Sequence, residues 1–539
     1  MSADARGADG PHTVGRWLTD RAGASPARIA IDDRGVTITY GELEQRAAAL
    51  AQRLEGAGYR AGQRIATISG NSIDHVAAFF ACARSGLAFV PLSWRLAPRE
   101  LAELIDRAAP ALMLVDDEYA ALADDAFGRL TRRPPVAALG TTGVEAAAPP
   151  PADASDAAPR PVRDDDPLLV IFTSGSEAAP KGVVLTHANC FWNNLALSGA
   201  LQLTADDVVL AILPQFHVAA WNVQPLLAWW VGATVVLERS FQPGRVLQLI
   251  AERGVTAMMG VPTQYRQLAD DPRFGPEGLG SLRLALVGGA TMSPDTADRW
   301  ADTGVTLTQG YGLTEAAPNV LCLPAGQAAA HSGAVGRPYP HVEVMLADPE
   351  TGLELQGAAT GELWVRGPSV FAGYLDDPAA TDRARAGAWL RTGDIAARDA
   401  DGVYRIVDRL KDIFISGGEN VAPAEVERAL GGHPAVAEVA VVGAPDPVWG
   451  ERGVAFVVRA PGALLGADEL LAHARRELAA YKVPARVAFV DALPRSTIDK
   501  LARTQLRAQA AALVAAPAAT ASVCASAPTP IPTLEGDPA

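Results

Sequence analysis

The sequence predicts an α/β protein: a large N-terminal domain of parallel βα layers with a β-rich subdomain, then a small α+β C-terminal domain. Three observations carry this. The chain has 539 residues, too many for one ordinary core. Through the N-terminal half, short apolar runs alternate with amphipathic stretches, the pattern of a parallel sheet covered by helices. Beyond residue 333 strands dominate, and the final stretch before the tail returns to mixed α and β elements.

Residues 1–12 read as a flexible lead. Thr39 then opens a helix with Leu43, Ala47, Leu50 and Leu54 on one face. Strands over 64–69, 88–92 and 111–115 alternate with helices over 72–84 and 98–108. Residues 144–166 are dominated by Ala, Pro and Asp and read as a surface loop or linker. The run Leu168-Leu169-Val170-Ile171-Phe172 is a buried strand. It breaks into Thr173-Ser174-Gly175-Ser176-Glu177, then Pro180-Lys181-Gly182, and returns to apolar residues at Val183-Val184-Leu185. Hydroxyls, backbone N–H groups and one cation are what a polyphosphate needs. A polar hairpin turn would also explain these residues without any ligand. The loop is not a Walker A motif, because Gly182 follows Lys181 where Ser or Thr would stand.

A helix is expected after His187, then a strand over 208–213 leading to Pro214-Gln215-Phe216-His217. Trp229 and Trp230 read as core, whereas Trp221, Asn222 and Gln224 are candidates to line a pocket. Strand 284–287 runs into Gly288-Gly289-Ala290, where paired glycines permit close backbone approach to a flat ring or an acyl chain. Strand 306–308 runs into Gln309-Gly310-Tyr311-Gly312-Leu313-Thr314-Glu315, expected as a glycine-bent loop. The β-rich segment 333–408 has strands over 342–346 and 361–366 and contains Trp389-Leu390-Arg391-Thr392-Gly393-Asp394. A charged linker, Asp408-Arg409-Leu410-Lys411-Asp412, precedes Ser416-Gly417-Gly418-Glu419-Asn420. Pro423 then starts a helix with acids in its first turns. Strands over 436–442, 453–458 and 487–490 and a helix over 467–478 complete one compact domain. It closes on Leu493-Pro494-Arg495-Ser496-Thr497-Ile498-Asp499-Lys500. The domains expected are 13–408, 409–508 and a disordered Ala/Pro/Thr/Ser-rich tail over 509–539.

Composition excludes several classes. A net charge of −15 disfavours a nucleic-acid partner, which needs basic surface. Four cysteines, Cys82, Cys190, Cys322 and Cys524, lie far apart with no CxxC pair, so neither a zinc site nor a disulfide framework is indicated. Residues 1–12 lack the apolar stretch of a signal peptide, and no apolar run is long enough to span a bilayer. A cytoplasmic protein without an integral membrane segment is the expectation.

The stretch from Thr173 to Gly182 resembles the phosphate-binding loop of the acyl-adenylate-forming enzymes, acyl-CoA synthetases among them. Glu177 and Ala178 stand where that family often has Thr and Gly. The resemblance extends over residues 39–507, and the Gln309–Glu315 run is its most specific part. It implies ATP, Mg²⁺ and CoA as cofactors and a small-molecule acid as substrate. Thr173, Ser174, Gly175, Ser176 and Lys181 would hold phosphates. Gly289, Ala290, Gly310, Tyr311 and Gly312 would shape the adenine site, with the Tyr311 ring as a face for the base. Thr314 would offer a hydroxyl to phosphate, Glu315 an oxygen to Mg²⁺ and Asp394 two acceptors to the ribose diol. His217 matches a position that gates the path between acyl pocket and thiol tunnel. Arg409 would lie near the nucleotide, Lys411 at a hinge that makes the C-terminal domain mobile, and Gly418 on the thiol tunnel. Lys500 is the candidate catalytic cation; Asp499 precedes it where the family has Gly. The implied reaction is AMP-forming activation of a medium-chain or aromatic acid followed by transfer to CoA. Carrier-bound pantetheine, an amine, or nitrite activation for diazotisation would need the same ATP motifs.

Overall fold

The computed structural model describes residues 10–140, 160–173, 180–290, 292–328, 330–416, 419–447, 449–495 and 501–515. The chain divides into two compact units, Met1–Val407 and Asp408–Ala539.

The first unit is built on two mostly parallel sheets. In the nine-stranded sheet the parallel strands lie in the order Leu307–Gly312, Leu284–Val287, Ala257–Gly260, Val208–Ala211, Thr234–Leu237, Ile29–Asp33. Antiparallel strands Asn319–Leu323 and Val36–Thr39 flank them. In the seven-stranded sheet, Ala88–Leu92, Arg64–Ile68, Leu112–Val115 and Val136–Ala138 run parallel. Pro167–Thr173 joins it parallel to Ala88–Leu92. All five residues of Ala88–Leu92 are buried, which explains why it reads as a continuous apolar run rather than an alternating one.

The layering follows from which residues share a core. One face of each sheet meets in a common core: Ile65, Phe89 and Leu169 from one, Val209, Val235 and Leu286 from the other. Helices Tyr40–Gly56, Ile73–Ser85 and His187–Ala200 fill the space between. The opposite face of the nine-stranded sheet is covered by Pro243–Arg253, Pro262–Ala269 and Pro294–Asp302. That of the seven-stranded sheet is covered by Pro98–Ala108 and Ala120–Phe127. Helix Tyr40–Gly56 starts where Thr39 and Glu42 exchange a capping box, and it buries Leu43, Ala47, Leu50 and Leu54 as its spacing predicts. Helix Ile73–Ser85 buries ten residues on all sides, because it lies between the sheets.

The β-rich subdomain is a six-stranded antiparallel sheet centred on Glu343–Ala347, Ala359–Arg366 and Trp389–Arg398. In the second unit the long hairpin Val436–Asp446/Gly450–Arg459 pairs parallel with Arg486–Phe489 and packs under Pro423–Gly431 and Ala467–Glu477.

The structure differs from the sequence reading in four places. The strand expected to stop at residue 308 runs on as Leu307–Gly312, so Gln309–Gly312 is ladder rather than loop. Glycine composition suggests a bend, but Gly312 is there because the chain returning at Pro318 closes in. A Cβ on Gly312 would lie 1.4 Å from the Pro318 carbonyl oxygen. Second, residues 509–515, expected as part of a disordered tail, belong to the helix Arg503–Ala515. Alanine is the best helix former, and Leu506 and Ala510, four apart, are fully buried against the strand hairpin. Third, residues 160–166, read as linker, are tied down. Arg160 makes a two-pronged ion pair with Asp166, both contacts at 2.7 Å, and Asp164 accepts from His12 N at 2.9 Å. Fourth, Gly10–His12 is anchored rather than loose, since Gly10 N also donates to Val162 O at 2.9 Å. Residues 516–539 lie outside the described set.

Candidate active site

Three sheets deliver residues to one crevice in the first unit. Pro167–Thr173 and Lys181–Thr186 form an antiparallel hairpin in which Thr173 is paired with Lys181. Ser174, Gly175 and Ser176, expected to hold phosphates, lie outside the described residues. Gly373–Tyr374 adds to the hairpin's free edge, with Tyr374 opposite Val183. This brings the Tyr374 ring beneath Lys181, Nζ 5.2 Å from its centroid. The hydroxyl of Tyr374 donates to Glu315 Oε1 at 2.9 Å. One tyrosine thus joins the hairpin's cation to the carboxylate of the turn that follows Leu307–Gly312.

That turn is a short 3₁₀ segment, Thr314–Ala316. Its backbone is held from several sides. Phe371 N donates to Glu315 O at 2.8 Å, and Asn222 Nδ2 donates to Ala317 O at 3.0 Å. Asn222 belongs to a buried cluster in which Asn319 Nδ2 donates to Asn193 Oδ1 at 3.0 Å and Asn193 Nδ2 to Asn222 O at 2.8 Å. Buried amides that bond one another fix geometry, because breaking any one of these bonds leaves a desolvated partner.

Asp394 arrives from the third sheet. It is 4% exposed, and Tyr311 Oη donates to its Oδ2 at 2.5 Å. Its approach depends on Glu362, 2% exposed, which accepts from Gly393 N at 3.2 Å and from Trp364 Nε1 at 2.8 Å. Thr392 Oγ1 donates to Leu363 O and accepts from Asp394 N. Gly393 has φ +68°, a conformation glycine adopts freely. Gln309 Nε2 ties the two glycine segments together, donating to Ala290 O and Gly310 O, each at 3.3 Å. Gly289 and Ala290 are exposed at the C-terminal end of Leu284–Val287, the edge where open parallel sheets bind ligands.

His217 sits on the segment after Val208–Ala211, at that same edge. Its ring packs edge-on against Phe216, centroids 4.5 Å apart. The segment is clamped at Gln215: Asn71 Oδ1 accepts from Gln215 N at 3.0 Å, and Trp221 Nε1 donates to Gln215 O at 2.6 Å. His75 Nδ1 lies 2.9 Å from Gln215 Oε1, and its Nε2 lies 2.8 Å from Thr67 Oγ1. Full burial pushes the His75 pKa down to about 4, so the ring is neutral; Nδ1 donates to Gln215 and Nε2 accepts from Thr67. Trp221 and Asn222, candidates for a pocket wall, face the core instead; Trp221 stacks on Phe79 at 4.6 Å. Gln224 does line a cavity, together with Ala219 and Ala220.

The remaining candidates belong to the second unit. Arg409 ends the strand Tyr404–Arg409 and is exposed. Lys411 is exposed, and its carbonyl accepts from Arg507 Nη2 at 2.9 Å. Asp412 is 5% exposed and paired with Arg507 at 2.7 Å. Asp408 accepts from Ala424 N at 2.8 Å. Gly418, Asp499 and Lys500 lie outside the described residues.

Sequence reasoning missed Tyr374 and Glu362. Tyr374 stands in a two-residue strand, too short to show any periodicity. Glu362 sits inside an apolar strand, and a buried acid at such a position is the signal that marks a structural or functional need.

Glu315 offers one carboxylate oxygen to Tyr374, and its second has no partner among the described residues. Mg²⁺ is commonly held by one or two carboxylates plus substrate phosphates, so a single acid beside a phosphate cradle fits that ion. No cluster of three or more His, Cys, Asp or Glu residues able to hold a metal is found among the described residues, as such a site does not require one.

Comparison with known proteins agrees with this geometry. The family model for AMP-binding enzyme matches residues 18–375, and that for the AMP-binding enzyme C-terminal domain matches residues 425–500. The chain is 41% identical over 495 residues to a feruloyl-CoA synthase of Amycolatopsis sp, covering 92% of this chain and 98% of that protein. It is 35% identical over 504 residues to the indoleacetate–CoA ligase of Aromatoleum aromaticum, with coverage of 92% and 97%. Among solved structures, the o-succinylbenzoate coenzyme A synthetase of Bacillus subtilis in complex with ATP and magnesium ion superposes with a TM-score of 0.80 at 29% identity, covering 91% of this chain and 99% of that one. The chain belongs to the AMP-binding enzyme family, as an acid–thiol ligase of the acyl-CoA synthetase type.

Proposed function

We propose that this enzyme activates an aromatic carboxylic acid with ATP and passes the acyl group to the thiol of CoA. The observation that carries the reading is the convergence of Lys181, Tyr374 and Glu315 beside the Tyr311–Asp394 pair. In the first half-reaction a carboxylate oxygen attacks the α-phosphorus, and pyrophosphate leaves. Both reactants are anionic, so the main requirement is positive charge and aimed donors at the phosphates. Lys181, with Ser174 and Ser176, holds the β- and γ-phosphates, and Thr314 offers its hydroxyl there. Glu315 holds Mg²⁺, which supplies charge neutralisation when bound. Tyr374 fixes that carboxylate through its hydroxyl while its ring faces Lys181. Asp394 accepts from the ribose diol, and Tyr311, held against it, presents its ring to adenine between Gly289–Ala290 and Gly310–Gly312. Lys500 bridges the attacking oxygen and the α-phosphate.

In the second half-reaction the thiolate attacks the acyl carbon, the acyl C–O bond breaks and AMP leaves. The C-terminal domain turns about Lys411, withdrawing Lys500 and bringing Gly418 to the thiol path gated by His217, with Arg409 near the nucleotide. An aromatic acid is favoured because the named relatives act on feruloyl and indoleacetate groups. No described helix is long and apolar enough to cross a membrane, which accords with action in the cytoplasm on freely diffusing acids.

The test is ATP–pyrophosphate exchange over a panel of aromatic and medium-chain acids, then AMP formation with and without CoA. Exchange with aromatic acids and a CoA thioester are expected. Product only with a carrier protein or an amine would replace the acceptor, and exchange with no acid would overturn the proposal.

A further inference from the structure

The strand Ala359–Arg366 meets Trp389–Arg398 with a break in register. Glu362 stands opposite Ile395 and Trp364 opposite Arg391, so Leu363 alone faces Thr392, Gly393 and Asp394. A strand that carries extra residues bulges and re-aims its side chains. Asp394 is therefore offered to the crevice by a bulge, where the regular ladder is interrupted and side chains hold the backbone instead. Leu363 O accepts from Thr392 Oγ1 at 2.6 Å, and that hydroxyl oxygen accepts from Asp394 N at 3.0 Å. Gly393 N, between them, donates to Glu362 Oε1 at 3.2 Å. A Cβ on Gly393 would meet no atom within 4 Å, so this glycine answers to its φ of +68° and not to crowding.

Stability does not account for an acid at position 362. Its strand neighbours Leu363 and Val365 are fully buried, and Glu362 itself is 2% exposed. Burying a carboxylate is costly, and a well-packed apolar residue often serves stability as well or better. The nearest cation printed for it, Arg391, lies at 3.4 Å with a side chain 41% exposed, a long and screened pair. What the carboxylate does have is two oxygens in separate use. Trp364 Nε1 fixes Oε2 at 2.8 Å, and this leaves Oε1 aimed at the backbone beside Asp394.

We infer that Glu362 is a positioning residue for selection of the nucleotide sugar: its carboxylate holds Gly393 so that Asp394, held from the other side by Tyr311, meets the ribose diol. Glu362 acts through the bulge and not on the nucleotide. This rests on the proposed ribose role of Asp394 and extends it to the residue that sets the aspartate's aim.

The experiment measures kcat/KM for ATP, 2′-deoxy-ATP and 3′-deoxy-ATP in pyrophosphate exchange at a saturating aromatic acid. The wild-type enzyme prefers ATP by about tenfold or more, since a carboxylate placed for two hydroxyls loses a charged hydrogen bond with each analogue. Asp394→Ala removes that preference and gives the floor. Glu362→Gln replaces one acceptor oxygen by a donor group, so Gly393 N and Trp364 Nε1 are no longer both served. Its preference falls to within about threefold of the floor. Its KM for ATP rises while its KM for the acid holds. If melting shows that Glu362→Gln does not fold, Trp364→Phe takes its place: it frees Oε2, keeps an aromatic ring and lowers the preference by about threefold or more. A preference within about twofold of wild type, with the rates for ATP and both analogues falling together, makes Glu362 a structural residue only and overturns the inference while leaving Asp394 on the ribose. Equal use of ATP and both analogues by the wild-type enzyme removes the ribose role of Asp394 and this inference with it.

Discussion

Replacing Tyr374 with Phe removes one hydroxyl and keeps the ring. The lost contact is the 2.9 Å hydrogen bond to Glu315 Oε1, while the ring 5.2 Å from Lys181 Nζ stays. A hydrogen bond to a charged group contributes about 1.5–3 kcal/mol. Since about 1.4 kcal/mol is a factor of ten in rate, full expression in the transition state costs adenylation about 10- to 150-fold. The Gly373–Tyr374 ladder is made by backbone atoms, so the fold survives. Tyr374→Leu also removes the cation–π contact, worth about 0.5–2 kcal/mol, and falls further. The assay is ATP–pyrophosphate exchange at saturating acid, repeated over a Mg²⁺ titration. Tyr374→Phe is expected to need more Mg²⁺, because its carboxylate is no longer fixed. Exchange within about twofold of wild type with an unchanged Mg²⁺ requirement would refute the role given to this pair, since so small an effect lies below the charged hydrogen-bond range.

Other outcomes follow from the same account. Lys500→Ala should lower exchange by about 10²–10³ with the melting curve unchanged, as loss of one aimed donor does; Lys411→Pro should spare exchange and stop thioester formation, and equal loss of both steps would count against a hinge there. His75 and His187 are both buried, and burial pushes each pKa down to about 4 from 6.5. A depressed folded pKa means the unfolded chain takes the protons first, so this stability is fully present above pH 6.5 and lost as pH falls toward 4. The loss approaches about 3 kcal/mol per ring. Urea midpoints that stay flat from pH 7 to pH 4.5 would contradict it. Gly312→Ala should fail to fold or lose more than about 4 kcal/mol, because the new Cβ would overlap the Pro318 carbonyl oxygen; a soluble variant with wild-type melting would show that strand pairing relaxes there.

Elements marked by a local apolar pattern, periodic or continuous, were legible in the sequence. Residues 88–92, 98–108 and 284–287 appear with the expected limits because apolar spacing, Pro98 at a helix start and Gly288 at a strand end all agree locally. Tyr311, Glu315 and Asp394 were legible as candidates because motif chemistry marks them. Their pairing was not: Tyr311 meets Asp394, and Glu315 meets Tyr374, across sheets distant in sequence. Long-range placement leaves no local pattern, so Tyr374 was invisible and Gln309–Gly312 looked like loop. Alanine-rich residues 509–515 misled for another reason. Their composition suits a disordered tail and a helix equally, and only the burial of Leu506 and Ala510 decides.

The account stands on the acid's own oxygen becoming bonded to the α-phosphorus of ATP. The direct measurement supplies the preferred aromatic acid labelled with ¹⁸O in its carboxylate, with ATP, Mg²⁺ and CoA, and weighs the AMP by mass spectrometry. One labelled oxygen per AMP, with none in pyrophosphate, is the predicted result. Thioester formation with unlabelled AMP, or with label in pyrophosphate or in orthophosphate released beside ADP, would contradict it.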